Sequence, residues 1–374
     1  MNTEKVHWGI LGTADIARKN WLGILNSGNG VVAGVASRNP ERARNFIEQC
    51  QTVAPMPQKP RAFGSYEELL ATKEIEAVYI PLPTGLRKEW VVRAARAGKH
   101  LVSEKPCSTT LTDLREMLDL CAAHRVQFMD GVMVMHSARL NRLQEMLDDR
   151  TKFGTLRRIT SAFTFKAPPE FFQENIRAHP KLEPHGCVGD LGWYCIRLAL
   201  WSMGWQMPRK VAGRILASAE RPDSPTPVIT EFSGELLFET GASAGFFCSF
   251  LTHNSEWAVL SGTEGYVRLD DFVLPFSGHK TAFEVANHQF VKSGCEFEMR
   301  RQIEQVEVAE SSHGAQDAQE SVLFRRFGDQ IRSGQLNANW PQLALKTQAV
   351  MHGCIAAARE AKTLTLASDG LTYL

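Results

Sequence analysis

The segment Gly12-Thr13-Ala14-Asp15-Ile16-Ala17 lies between a short apolar run and an amphipathic stretch. A turn of small residues in that position can bind phosphate through bare backbone N–H groups and the positive end of the helix that follows. The dinucleotide fingerprint G-x-G-x-x-G/A reads here as G-x-A-x-x-A. Ala14 puts a methyl where backbone must approach phosphate, while Ala17 is small enough for close helix–strand packing. A plain tight turn is the alternative. The position between the first strand and first helix favours the phosphate loop, with Gly12, Thr13, Ala14, Asp15 and Ile16 as cofactor contacts.

The second apolar run ends Val35-Ala36-Ser37-Arg38. Folds that bind NAD place a carboxylate there to accept from the ribose hydroxyls, and a carboxylate would repel a 2′-phosphate. Ser37 and Arg38 can donate to that phosphate instead, Arg through its planar charged fork, and Arg42 adds charge one helical turn on. The alternative is that Arg38 is an ordinary solvated loop residue. NADP is expected rather than NAD.

Positioning these residues takes alternating strands and helices. Apolar runs at Val6–Leu11, Val31–Ala36, Ala77–Ile80, His100–Val102 and Gln127–Asp130 read as strands. Between them, Ala14–Asn26, Pro40–Gln49, Tyr66–Ala71, Leu86–Ala97 and Leu114–His124 read as helices, the last opened by a Thr110-x-x-Asp113 box. Ala54–Arg61, with three prolines, reads as a loop. This alternation predicts a doubly wound parallel sheet, an α/β Rossmann domain over residues 1–131. From Thr155 the pattern changes to long period-two segments: Leu156–Phe165, Lys210–Ala219, Thr230–Glu239, Ala242–Leu251, Glu256–Ser261 and Tyr266–Phe272. They predict a large, mostly antiparallel open sheet in an α+β domain over residues 132–374. Helices are expected near Gly189–Met203, Ala315–Ser333 and Pro341–Ala361.

Composition narrows the function. A formal net charge of +1, with no basic run, excludes a general pull toward nucleic acid or anionic lipid. The N-terminus lacks the pattern of a signal peptide, and no apolar run approaches the ~20 residues that span a bilayer. The eight cysteines are scattered without a CxxC pair, which favours reduced thiols and a cytoplasmic setting; no metal is expected.

Two longer motifs carry a resemblance. Pro81-Leu82-Pro83-Thr84-Gly85-Leu86-Arg87 is followed by Ala97-Gly98-Lys99-His100 and Glu104-Lys105-Pro106; further on comes Gly189-Asp190-Leu191-Gly192-Trp193-Tyr194. Together they resemble the glucose–fructose oxidoreductase, inositol dehydrogenase and rhizopine-catabolism (Gfo/Idh/MocA) family, with its E-K-P and G-x-x-x-D-x-G-x-H/Y signatures. The Tyr form, with Asn175-Ile176-Arg177, is most similar to the glucose–fructose oxidoreductase, dimeric dihydrodiol dehydrogenase and xylose dehydrogenase branch. Thr84 and Arg87 depart from the family's Asn and His, and Met135 stands where many members have Arg.

The resemblance implies an NADP(H)-dependent dehydrogenase or reductase acting on a sugar, polyol or related cyclic hydroxy compound. It implies cofactor contacts at Pro81, Leu82, Thr84, Arg87, Glu104 and Lys105, and substrate contacts at Lys105, Arg177, His185, Asp190 and Tyr194. Tyr194 becomes the acid/base, assisted by Lys105 and Asp190. Without the resemblance, Lys105 reads as a surface cation, and Asp190 and Tyr194 as a helix-start carboxylate and a buried aromatic. On an α-helix those two lie four apart on one face. Glu104 is expected to hold Lys105 or a backbone amide. Arg177 and His185 alternatively anchor a loop. A homodimer or homotetramer through the C-terminal sheet is implied, with no nucleic-acid or membrane partner. The competing reading is a non-catalytic NADP-binding regulator of the same fold, which would have no need of Lys105, Asp190 and Tyr194 together.

Overall fold

The short apolar runs of the first third become strands buried on both faces, as a parallel sheet covered by helices requires. A computed structural model describes residues 5–222 and 224–374. Chain order runs β1 (Val6–Leu11), α1 (Asp15–Asn26), β2 (Gly30–Ala36), α2 (Pro40–Val53), β3 (Arg61–Phe63) and α3 (Tyr66–Ala71). It continues with β4 (Ala77–Ile80), α4 (Thr84–Arg96), β5 (His100–Ser103), α5 (Leu111–Ala123) and β6 (Phe128–Asp130). Local chemistry fixes the helix starts. The Asn39 side chain accepts from the Glu41 amide ahead of Pro40, and Thr110 accepts from the Asp113 amide at 3.0 Å. The six strands are parallel in the order β3-β2-β1-β4-β5-β6. The order reverses between β1 and β4, and ligands of such sheets bind beyond the strand ends at that point.

By contact the chain folds into two compact units, each assembled from more than one stretch of sequence. Among the described residues, one compact unit comprises 5–136, 181–184 and 313–348, and the other comprises 137–180, 185–312 and 349–374. The helix Gln319–Arg332, which the sequence assigns to the second domain, packs on the first sheet. Phe324 meets Trp8 of β1 edge-on at 5.1 Å and Tyr79 of β4 at 6.0 Å. The face of β1 and α1 that carries Trp8, Trp21 and Ile24 needs an apolar cover, and Leu323, Phe324 and Phe327 supply it.

The second unit adds α6 (Arg139–Asp148), β7 (Arg158–Thr164), α7 (Phe171–Glu174) and α8 (Trp193–Ser202). Its strands are β8 (Lys210–Arg221), β9 (Ser224–Leu237), β10 (Ser243–Ser249), β11 (Ser255–Ser261), β12 (Tyr266–Leu269), β13 (Lys280–Ala286), β14 (Gln289–Ser293), β15 (Glu296–Arg300), β16 (Ile303–Ala309) and β17 (Leu364–Thr365). Nine of them form one sheet in the order β16-β13-β12-β11-β7-β10-β9-β8-β17. Every neighbouring pair is antiparallel except β7 with β10. β14 and β15 form a separate exposed hairpin. A buried ion pair joins α6 to the sheet, with Arg139 donating to the Asp271 carboxylate at 2.5 Å and to the Asp271 carbonyl at 2.7 Å. No helix among the described residues is long and apolar enough to cross a membrane.

Candidate active site

At the end of β1 the backbone of Gly12 takes φ +110°, which only glycine adopts without strain. A Cβ there would stand 3.2 Å from the Leu82 side chain and 3.6 Å from the Tyr66 hydroxyl. Ala14 is the extended cap of α1 and offers no side-chain hydrogen bond, so the first-turn amides receive no side-chain acceptor from it. Thr13, Ala14 and Ile16 are half-buried, while the Asp15 side chain faces solvent and pairs with Arg18. At the end of β2, Ser37 is buried and its hydroxyl accepts from the Asn39 amide. Burial raises the Tyr66 phenol, and the charges of the exposed Arg38 and Arg42 offset only part of that rise. Tyr66 is itself held edge-on against Trp90 at 4.6 Å. A helix start without a side-chain cap, a left-handed glycine and two exposed guanidinium groups fit a dinucleotide diphosphate with a further phosphate beside it.

Pro81 and Leu82 line the end of β4, and the Leu82 carbonyl accepts from Arg87 Nε at 2.7 Å. Thr84 and Arg87, which the sequence reading places among the cofactor contacts, are turned inward. Thr84 is 1% exposed and donates through its hydroxyl to Glu183 at 2.5 Å; Arg87 is 5% exposed and donates to the Thr84 hydroxyl and the Pro106 carbonyl. Their side-chain donors are engaged by protein acceptors, because a buried guanidinium must satisfy every N–H it takes out of water.

Glu104 is buried at the end of β5. Its carboxylate accepts from the Tyr79 hydroxyl at 2.5 Å and from the Lys105 amide at 3.4 Å. Burial and the neighbouring Glu104 push the Tyr79 phenol far up, so it stays a donor. Lys105 is half-buried, and the Lys105–Pro106 peptide is cis.

In the second unit the chain turns at Gly186, where a Cβ would collide with the Ile229 carbonyl. The expected helix near Gly189 is present but is not a uniform α-helix. Val188–Gly192 is a π-helical turn that runs into α8. Asp190 therefore sits in the π turn and Tyr194 in the first turn of α8, on either side of the junction. Such turns re-aim side chains and recur at functional sites. The Asp190 carboxylate meets Arg177 Nε at 3.2 Å, and Arg177 stands on a short 3-10 turn capped by Asn175. The half-buried Tyr194 ring packs edge-on against Phe163 of β7 at 5.6 Å. His185 is buried with its Nε2 3.4 Å from Nε2 of His352. Among the described residues all eight cysteines are free, and no His, Cys, Asp and Glu group could hold a metal ion.

Comparison with known proteins accounts for both halves. The model for the oxidoreductase family with an NAD-binding Rossmann fold matches residues 6–132, and the GFO/IDH/MocA C-terminal domain model matches residues 140–268. A relative from Haloferax volcanii, D-xylose 1-dehydrogenase (NADP(+)) 2, is 32% identical over 69% of this chain and 74% of its own length. The chain belongs to the GFO/IDH/MocA oxidoreductase family. Another member, the dTDP-3,4-didehydro-2,6-dideoxy-alpha-D-glucose 3-reductase of Streptomyces violaceoruber, is 30% identical over 74% of this chain and 76% of its own length. A 3-ketoreductase from Actinomadura kijaniata, solved with NADP and TDP-benzene, shares the fold at TM-score 0.78. It is 23% identical, with 95% of this chain and 98% of that one covered.

The motif residues of this GFO/IDH/MocA chain have partners that no contiguous motif marks. Tyr66, Tyr79, Glu183 and His352 come from other parts of the chain. Tyr66 left one legible signal, a tyrosine straight after the helix cap Ser65 following the third strand.

His352 gives the site a measurable signature. Burial, with the Arg359 charge adding to it, pushes its imidazole down to about 4 from 6.5. Between those values the unfolded chain binds more protons, so this group's contribution is present above pH 6.5 and is lost as pH falls toward 4. Glu256 acts in the opposite sense. Burial raises it from 4.5 to about 7, so its contribution is present below pH 4.5 and is lost as pH rises toward 7. His352→Asn is therefore expected to gain in melting temperature relative to the parent as pH is lowered from about 7 to about 5. A pH-independent difference between the two melting curves would refute the neutral, buried His352.

Proposed function

We propose that this chain is an NADP(H)-dependent oxidoreductase. It moves hydride between nicotinamide C4 and the carbinol or carbonyl carbon of a sugar, polyol or related cyclic hydroxy compound. The observation that carries the reading is membership of this oxidoreductase family combined with Lys105, Asp190 and Tyr194 at the signature positions. Relatives named for xylose oxidation and for reduction of a nucleotide-linked sugar support the substrate class. The first of these is named for NADP(+), which agrees with exposed Arg38 and Arg42 beyond β2.

Bound NADP(H) supplies the hydride acceptor or donor at C4. The chain supplies the rest. Gly12 makes the turn, its amide held by the Ala36 carbonyl, and Thr13, Ala14, Asp15 and Ile16 present amides to the diphosphate, with Pro81 and Leu82 beside them. Ser37, Arg38 and Arg42 hold the 2′-phosphate, with the Tyr66 hydroxyl as a further donor. Lys105 donates to the reacting oxygen, and Glu104 fixes its backbone. Tyr194 takes the hydroxyl proton during oxidation and returns it during reduction. A free phenol ionises near ~10, and a lysine ammonium acting on the same oxygen would bring it toward neutral pH. Asp190 orients the substrate hydroxyl, with Arg177 holding the carboxylate and His185 adding a contact. Reduced thiols support a cytoplasmic setting.

The outer face of the nine-stranded sheet is the surface for self-association into a dimer or tetramer. A shallow depression there is lined by Thr160, Thr164, Ser233, Phe247, Trp257 and the Arg158–Glu235 pair. Light scattering is expected to give a multiple of the 41.7 kDa chain mass, reduced to one chain by Trp257→Arg; a monomeric parent would exclude this interface.

Tyr194→Phe is expected to leave NADPH affinity nearly intact while turnover falls by roughly 10²–10⁴-fold, as loss of a general acid/base does. Turnover matching the parent would remove Tyr194 from that role. Arg38→Ala is expected to weaken NADPH by roughly ten- to hundredfold, the scale of a charge-assisted hydrogen bond, and NADH far less. Equal losses for the two cofactors in fluorescence titrations would contradict the 2′-phosphate assignment. A screen of sugars, inositols and dihydrodiols against NADP(H) absorbance identifies the substrate.

A further inference from the structure

The chain between residues 180 and 185 makes an excursion that the family motifs do not call for. Residues 181–184 belong to the first compact unit, while Pro180 and His185 on either side belong to the second. The four residues lie on the first turn of α4. The Gly85 amide donates to the Leu182 carbonyl at 2.9 Å, and a Cβ at Gly85 would collide with the Lys181 carbonyl. Glu183 then caps the helix. Its carboxylate accepts from the Thr84 amide at 2.9 Å and from the Thr84 hydroxyl at 2.5 Å, at the end of the helix dipole that favours a negative charge. Arg87 stands 3.8 Å from the same carboxylate and donates to the Pro106 carbonyl. The guanidinium thus spans two pieces of chain, the loop that carries Lys105 and the segment that leads directly into His185 and the π turn of Asp190.

We propose that Glu183 is a positioning residue for the reaction, and that with Thr84 and Arg87 it forms a latch fixing the segment 181–184 against the Lys105–Pro106 loop. The chain downstream of the latch, His185 to Asp190, takes its starting point from it. Glu183 touches neither substrate nor cofactor in this role. It sets where the substrate-holding stretch begins, so its loss misplaces Asp190 and leaves the phosphate loop untouched. The proposal rests on the functional reading above for its kinetic consequence, and on geometry alone for its mechanical one.

The experiment compares the full-length parent with Glu183→Ala, Glu183→Gln, Thr84→Val and Thr84→Ser, each at a temperature well below its own melting point. Amide hydrogen exchange is expected to speed up across residues 185–192 in Glu183→Ala and Thr84→Val and to stay unchanged in β1 and α1. NADPH affinity is expected within about twofold of the parent, while kcat/KM for the carbinol substrate drops by roughly ten- to hundredfold, the cost of about an ångström of misplacement. Glu183→Gln, which keeps an acceptor and loses the charge, falls between. Thr84→Ser, which keeps the hydroxyl, restores parent behaviour, and the double variant Thr84→Val with Glu183→Ala adds little to either single change. A role confined to stability would lower melting temperature with kcat, KM and exchange at 185–192 unchanged, and that result overturns the latch. If Tyr194→Phe keeps full turnover the functional reading fails, and the exchange measurement still decides the latch.

Discussion

The carboxyl of Glu104 is buried at the end of a central parallel strand, and the nucleotide-binding unit is arranged to make that tolerable. A carboxyl removed from water needs donors, and here they come from Tyr79, reaching over from β4, and from the Lys105 amide. Tyr79 can serve because burial and Glu104 itself keep its proton in place. Space is made by Gly131, where a Cβ would stand 3.0 Å from the carboxylate. Tyr79 in turn packs against Phe324 of the returning C-terminal helix. The backbone position of Lys105 is thus tied to the sheet core and to a helix more than two hundred residues away in sequence. Removing the Tyr79 hydroxyl would leave a buried acceptor unsatisfied, a loss of about 1–3 kcal/mol.

The first unit was legible because its information is local. A strand buried on both faces reads as a continuous apolar run, and α2, α3 and α5 announce their starts with Asn39, Ser65 and Thr110. The second unit was legible only in part. β7 to β12 alternate cleanly, yet β13 to β16 passed unread. β14 and β15 are exposed almost throughout and so carry no buried stripe, and β16 buries only Val306 among charged neighbours. Helix α6 was missed for a different reason. Its inward face begins with Arg139, a buried cation matched to Asp271, and a charged residue at a core position breaks the apolar period by which helices are found. The return of Gln319–Arg332 to the first sheet is long-range packing that no local pattern encodes.

The same distinction governs the site. Gly12 to Ile16, Ser37 with Arg38, and Lys105 lie in contiguous motifs, so residue type and spacing are enough to propose them. The π turn did not show, since one extra residue in a helical turn leaves residue types and sequence spacing unchanged. Nor did the partners of the motif residues. His352 behind His185 and Tyr66 beside Gly12 are brought there by folding.

Thr84 and Arg87 show how two departures from a family pattern can be one physical change. Histidine at position 87 could be neutral and both donate and accept, asking for no counter-charge. Arginine is always a cation with five donors, and at 5% exposure it requires carbonyls and an anion. The carbonyls of Leu82 and Pro106 were available; the anion had to come from elsewhere, and Glu183 provides it. Once a carboxylate approaches the start of α4, a short hydroxyl side chain at position 84 donates to it where a longer amide would compete for its space. Gly85 is then needed because the incoming chain runs too close for a Cβ. Threonine, glycine, arginine and glutamate at these four positions are therefore explained together, whereas none of them follows from cofactor binding alone.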